Sequence, residues 1–185
     1  MADVLKETYT GVAAGGFNYA RSGYYLSESF TASETYSVTL CKIPLYRGGS
    51  ELDPGNCTVE IRAVDELRKP TGAALATSDV VNLSALTLDT GGTETTFAFS
   101  TPYEVTSGTE YCLVIISAGG SGSLIWIGTS ADKVTYAGIS WRGGVPNWYE
   151  NTGDVFFGTY GEGSGGAVTR SPMLMDRNMP NGWGF

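Results

Sequence analysis

Clusters of turn-forming residues cut this chain into short apolar runs, and that punctuation limits the possible folds more than any other feature. Arg47-Gly48-Gly49-Ser50, Asp53-Pro54-Gly55-Asn56, Lys69-Pro70-Thr71-Gly72, Ser107-Gly108 and Gly119-Gly120-Ser121-Gly122 are all strong turn signals. The runs between them are short, and none keeps a 3.6-residue apolar period over a useful length. Many alternate instead. In Thr58–Val64, Val59, Ile61 and Ala63 point one way and Glu60 and Arg62 the other, so a one-residue slip would bury both charges. Thr35–Tyr46 places Tyr36, Val38 and Leu40 on one face, and Pro44 suggests an edge position or a bulge late in that strand. Glu110–Ser117 is apolar on both faces, which calls for a central strand covered on both sides or by an aromatic neighbour.

Further strands are expected at Leu26–Thr31, Ala73–Val81, Thr93–Ser100, Leu124–Gly128, Val134–Trp141 and Asp154–Tyr160. About nine short strands with almost no helix describe an all-β, antiparallel two-sheet sandwich. Its core should include Val59, Ile61, Phe97, Phe99, Leu113, Ile115 and Phe157. Three regions follow: residues 1–25 as an N-terminal arm or edge strand, 26–160 as the sandwich, and 161–185 as a Gly/Met-rich C-terminal arm. The last holds Met173, Leu174, Met175, Met179, Trp183 and Phe185 among glycines and prolines that block a regular element. Spaced apolar anchors on a pliable backbone suit a segment that drapes over a neighbour, so these six are expected assembly contacts. The alternative is a tail folded onto its own sandwich.

Composition excludes several chemistries. The 185 residues include no histidine, which removes Ser-His-Asp and Cys-His catalysis and any zinc site that needs imidazole. Eleven basic residues against nineteen acidic ones give a net charge of −8 and no basic stripe, so no nucleic-acid partner is expected. No apolar run could span a bilayer, and no membrane partner is expected. Met1–Gly11 has neither a basic nor an apolar signal region, which reads as synthesis in a cytoplasm. Cys41, Cys57 and Cys112 are expected as buried free thiols, a 41–57 bridge being the rival.

The order of motifs is also familiar. Leu45-Tyr46-Arg47-Gly48-Gly49 is followed by Val59-Glu60-Ile61-Arg62-Ala63, and Lys69-Pro70-Thr71-Gly72 leads to Leu75-Ala76. Phe97-Ala98-Phe99, Pro102 and Ser107-Gly108-Thr109-Glu110-Tyr111 come next, before Leu113-Val114-Ile115. Tyr136-Ala137-Gly138, Trp141, Trp148 and Asp154-Val155-Phe156-Phe157-Gly158-Thr159-Tyr160-Gly161 complete the series. In this the chain resembles a jelly-roll-like β-sandwich module, related to carbohydrate-binding modules. Such modules recur in bacteriophage virion and tail proteins and in modular bacterial surface proteins. The resemblance implies a virion localisation and a structural role as a capsid decoration, head-fibre or tail-associated subunit. Its partners would be other virion proteins and copies of itself in a homo-oligomer. The alternative is a binding module for a host cell-surface glycan.

For that alternative the aromatic residues near the end of the sandwich matter. Trp126 and Trp148 are expected in the core. Trp141 and Tyr149 flank turns and are better placed for exposure, so Tyr136, Trp141 and Tyr149 are the candidate glycan-binding residues. Exposed tryptophans also serve as protein–protein anchors. Asp65 and Glu66, as neighbours, point opposite ways and make a poor glycosidase pair. Glu51, Asp53 and Asp132 lie in loops without a calcium-binding spacing. No catalytic residue, metal or cofactor is assigned, and the protein is read as no enzyme. A chelator is accordingly expected to leave the thermal unfolding midpoint unchanged; a sharp drop would reveal a structural metal.

Overall fold

The computed structural model describes residues 2–10, 16–20, 23–48, 55–86, 92–119, 123–128, 140–144, 147–151 and 153–162. These residues form thirteen strands and no helix. They are β1 (Asp3–Tyr9), β2 (Gly16–Ala20), β3 (Tyr25–Thr31), β4 (Tyr36–Gly48), β5 (Gly55–Val64), β6 (Pro70–Thr77) and β7 (Val81–Asn82). The rest are β8 (Thr93–Val105), β9 (Glu110–Gly119), β10 (Ser123–Gly128), β11 (Ser140–Gly144), β12 (Asn147–Glu150) and β13 (Phe157–Glu162). All pairings are antiparallel. One sheet runs β1-β13-β4-β10-β2, with β8 on the other side of β4; the second runs β12-β11-β3-β9-β5-β6, with β7 also on β5. From β3 onward the chain passes repeatedly between the sheets, as in a jelly roll.

The two inner faces close on one apolar core. Phe30, Phe97, Phe157, Ile61, Leu113 and Ile115 are essentially inaccessible, and Val59 and Phe99 join them, so all seven residues expected in the core lie in it. Phe30 on the second sheet meets Phe157 on the first, ring centroids 5.9 Å apart. Glu60 and Arg62 point out and pair with each other at 2.6 Å. The three cysteines are free and buried.

β4 departs from its expected pattern in two ways. Tyr36 and Val38 face the core, but a register shift between Val38 and Leu40 reverses the alternation, so Cys41, Ile43 and Leu45 continue the core and Leu40 does not. Pro44 lies in a central strand, not at an edge. β13 pairs with 38–42 and β10 with 45–48, leaving Pro44 where the flanking ladder changes partner. Gly161 sits opposite Val38 at the shift, where a Cβ would lie 2.4 Å from the Ser37 carbonyl oxygen.

Side chains tie the remaining segments down. The expected strand over 73–81 is split, because Ser78 and Asp79 leave the ladder to join the sheets. Ser78 exchanges backbone and hydroxyl bonds with Val59, while the Asp79 N–H donates to Ala98 on β8 at 2.7 Å. The N-terminal region supplies strands: β1 is an edge strand pinned by Glu7, whose carboxylate accepts from the Ser33 N–H and hydroxyl, and by the Lys6–Glu34 pair at 2.8 Å.

Two substitutions test this packing by urea unfolding. Ile61→Ala is expected to cost about 2–5 kcal/mol, the range for a buried large-to-small change. Gly161→Ala is expected to cost about 1–3 kcal/mol, because the added methyl meets backbone that cannot move aside.

Candidate functional site

Two constellations stand out, both involving β3. The first is on the outer face of the second sheet. Register aligns Trp141, Ser27, Val114 and Glu60 in one row across β11, β3, β9 and β5, and Ser29, Cys112 and Arg62 in the next. Trp148 pairs with Gly143 in the β11–β12 hairpin and therefore shares Trp141's face. Trp141, Trp148, Cys112 and Val114 form a second apolar cluster outside the main core, with Tyr25, Val64 and Ile116 against it. The hairpin needs glycine at 143, whose φ is 132° and whose Cβ would strike the Asn147 carbonyl.

Polar groups border this cluster. The Lys69 ammonium sits 5.3 Å from the Trp141 ring centre. Arg68 adopts a left-handed φ of 65° in a turn where Asp65 accepts from the Leu67 and Lys69 N–H groups. From there its guanidinium reaches Glu110 and the Ser29 hydroxyl. The Ser27 hydroxyl and both indole N–H groups are buried and meet no hydrogen-bond partner.

This geometry separates the candidate glycan residues. Trp141, which its turn places better for exposure than Trp126 and Trp148, is only 6% exposed, with Lys69 over its ring. Tyr149 is 61% exposed, but it pairs with Arg142 and so projects from the opposite face. Tyr136 lies outside the described residues, as do Met173, Leu174, Met175, Met179, Trp183 and Phe185. Trp148 is buried, though in the outer cluster instead of the main core. Trp126 falls on β10, at a position whose side chain is not described.

The second constellation is a pair of buried acids. Glu28 points into the core between Leu26 and Phe30 and is fully buried; Asp154 is 2% exposed. Glu28 Oε2 accepts the Val155 N–H at 2.9 Å, while Oε1 has no hydrogen-bond partner. Burial pushes the Glu28 carboxyl well above the usual carboxylate range, and the Asp154 charge adds to the rise. The N–H groups of Val155 and Ser29, and the Arg68 charge, oppose it. The sequence carried a signal: in Leu26-Ser27-Glu28-Ser29-Phe30 a glutamate occupies the apolar parity. Burial also raises the thiols, Cys57 to about 12 and Cys41 and Cys112 further, so none is ionised near neutrality.

The described residues bring together no histidine, cysteine or acid cluster of three or more able to hold a metal. The architecture is an antiparallel two-sheet sandwich consistent with a jelly roll. No family model matches the chain, and no curated protein matches it.

The raised Glu28 carboxyl gives a signed pH dependence. An unfolded glutamate ionises near about pH 4.3. Above that pH the unfolded chain has lost a proton the folded chain still holds, so this residue's contribution to stability falls as pH rises, until the folded group also ionises. Glu28→Gln keeps the shape and removes the proton. Its stability relative to the wild type is expected to increase between pH 4 and neutrality in urea unfolding at successive pH values. A constant difference across that range would contradict the assignment.

Proposed function

We propose that this chain is a non-enzymatic structural subunit of a bacteriophage virion, a capsid decoration, head-fibre or tail-associated protein. It assembles with copies of itself and with other virion proteins through its terminal segments. The observation that carries this reading is the meeting of both ends of the sandwich at one edge. Glu162, at the end of β13, pairs with Asp3 at the start of β1. β1 ends its sheet and exposes Val4 and Leu5, at 44% and 45%. Residues 163–185, with their apolar anchors, continue from that corner. An edge strand with apolar side chains is a template for another chain.

The chemistry of the interior supports the non-enzymatic half. Glu28 and Asp154 are sealed from substrate, and the thiols are buried and protonated. Glu7 is engaged with Ser33, and Glu110 with Arg68. The alternative, recognition of a cell-surface polysaccharide, keeps one point of support: Tyr149 and Arg142 are exposed side by side on the open face of the hairpin.

Deleting residues 163–185 is expected to lower the mass in solution, or abolish co-sedimentation with particles, while leaving the thermal midpoint nearly unchanged. Normal assembly of the truncated chain would overturn the role of the arm. Co-sedimentation with polysaccharide, lost in Tyr149→Ala, would favour the alternative.

A further inference from the structure

The outer faces of the two sheets are finished differently. On the second, the β11–β12 hairpin lays Trp141 and Trp148 against Cys112 and Val114. On the first, register aligns Leu5, Tyr160, Leu40 and Ala98 in one row across β1, β13, β4 and β8. Their neighbours Glu7, Thr159, Cys41 and Phe97 are buried toward the core, so this row points outward. It is uncovered: Leu5 is 45% exposed, Ala98 is exposed, and Tyr160 and Leu40 are half-buried. Leu5 and Tyr160 lean together over Gly158, where a Cβ would lie 3.2 Å from one and 3.3 Å from the other. Lys42 holds its ammonium 5.3 Å from the centre of the Tyr160 ring and pairs with Glu94. An exposed apolar row with charges at its border is the pattern of a docking surface.

We propose that this row receives residues 163–185 of a second copy, the two copies exchanging arms. The inference rests on the assembly reading above and names the surface the arm meets. Position selects this occupant first. Glu162, two residues past Tyr160 and therefore on the same face, ends β13 opposite Asp3, so the arm begins beside the row. Charge selects it next. Arg170 and Arg177 outnumber Asp176 in the arm, whereas the whole chain carries −8, and exposed Asp3 and Glu162 border the row. Direction then favours a second copy over the same chain. β13 runs from Tyr160 to Glu162 and delivers the arm away from its own row, and the anchors begin at Met173, eleven residues later. A Gly-rich chain of that length spans roughly 18 Å. A copy facing the same corner is met without the arm doubling back over β13. Two copies set corner to corner about a two-fold axis each offer the other a row and an arm.

Mass in solution and cross-linking of the full chain test this. Leu5→Lys and Ala98→Lys each place a charge on an exposed end of the row. Both are expected to lower the mass to that of one chain while leaving the thermal midpoint unchanged. Leu5→Cys in one tagged chain and Met173→Cys or Met175→Cys in another are expected to form a mixed disulfide on oxidation, the three native thiols being buried. Absence of that disulfide, or a link closed within single chains of the Leu5→Cys/Met173→Cys double variant, would overturn the exchange. Unchanged mass in both lysine variants, in an assembly that still needs residues 163–185, would reject the row and leave the assembly reading standing. A full chain that stays a single subunit at every concentration also rejects the exchange. If that chain fails to co-sediment with particles as well, the reading beneath the inference falls with it.

Discussion

The burial of β9 on both faces is the constraint on which the rest of this structure depends. Leu113 and Ile115 fill the space between the sheets, while Cys112 and Val114 point outward and are just as buried. A strand of that kind cannot lie at an edge, and it is flanked by β3 and β5. Its outer face also has to be covered. The β11–β12 hairpin does this by adding to β3 and turning both Trp141 and Trp148 onto the outer surface. The two indoles are therefore spent on covering a strand, and Lys69 closes over one of them.

A second theme is how irregular chain is held against a sandwich. Ser78 and Asp79 join the two sheets between β6 and β7. Glu7 fixes β1 to the turn at Ser33. Glu28 does the same for the segment before β13, with a difference that matters. Glu7 accepts two donors with one oxygen, whereas one oxygen of Glu28 has no partner in a fully buried site. A neutral carboxyl tolerates that environment and a carboxylate does not. The interior thus holds polar groups for positioning, and the proposed assembly role falls to the edge at β1 and to residues 163–185.

Much of this was legible in the sequence, for a local reason. In Thr58–Val64 the apolar and charged residues alternate without a break, so period and face follow directly and Val59 and Ile61 are core. The double-sided apolar run of β9 announced its central place and the need for cover on its outer face. Reading failed where pairing, not pattern, decides. Leu40 continues the apolar parity of Tyr36 and Val38, but a register shift hands the inner face to Cys41. Pro44 looks like an edge residue, yet it fits a central strand because two partners meet end to end beside it. Trp141 lies next to a turn, where pattern alone leaves burial and exposure open, and its addition to β3 buries it.

Sequence by itself determined that this chain makes short antiparallel strands, which residues face inward along most of them, and that histidine chemistry is absent. These are properties of alternation and composition, set within a few residues. Tertiary structure alone decided that Trp141 and Tyr149 point to opposite sides, that Glu28 lies next to the amide of Val155, and that Asp3 meets Glu162. Each of those joins positions brought together by strand register, and register is a long-range outcome of which faces must be buried.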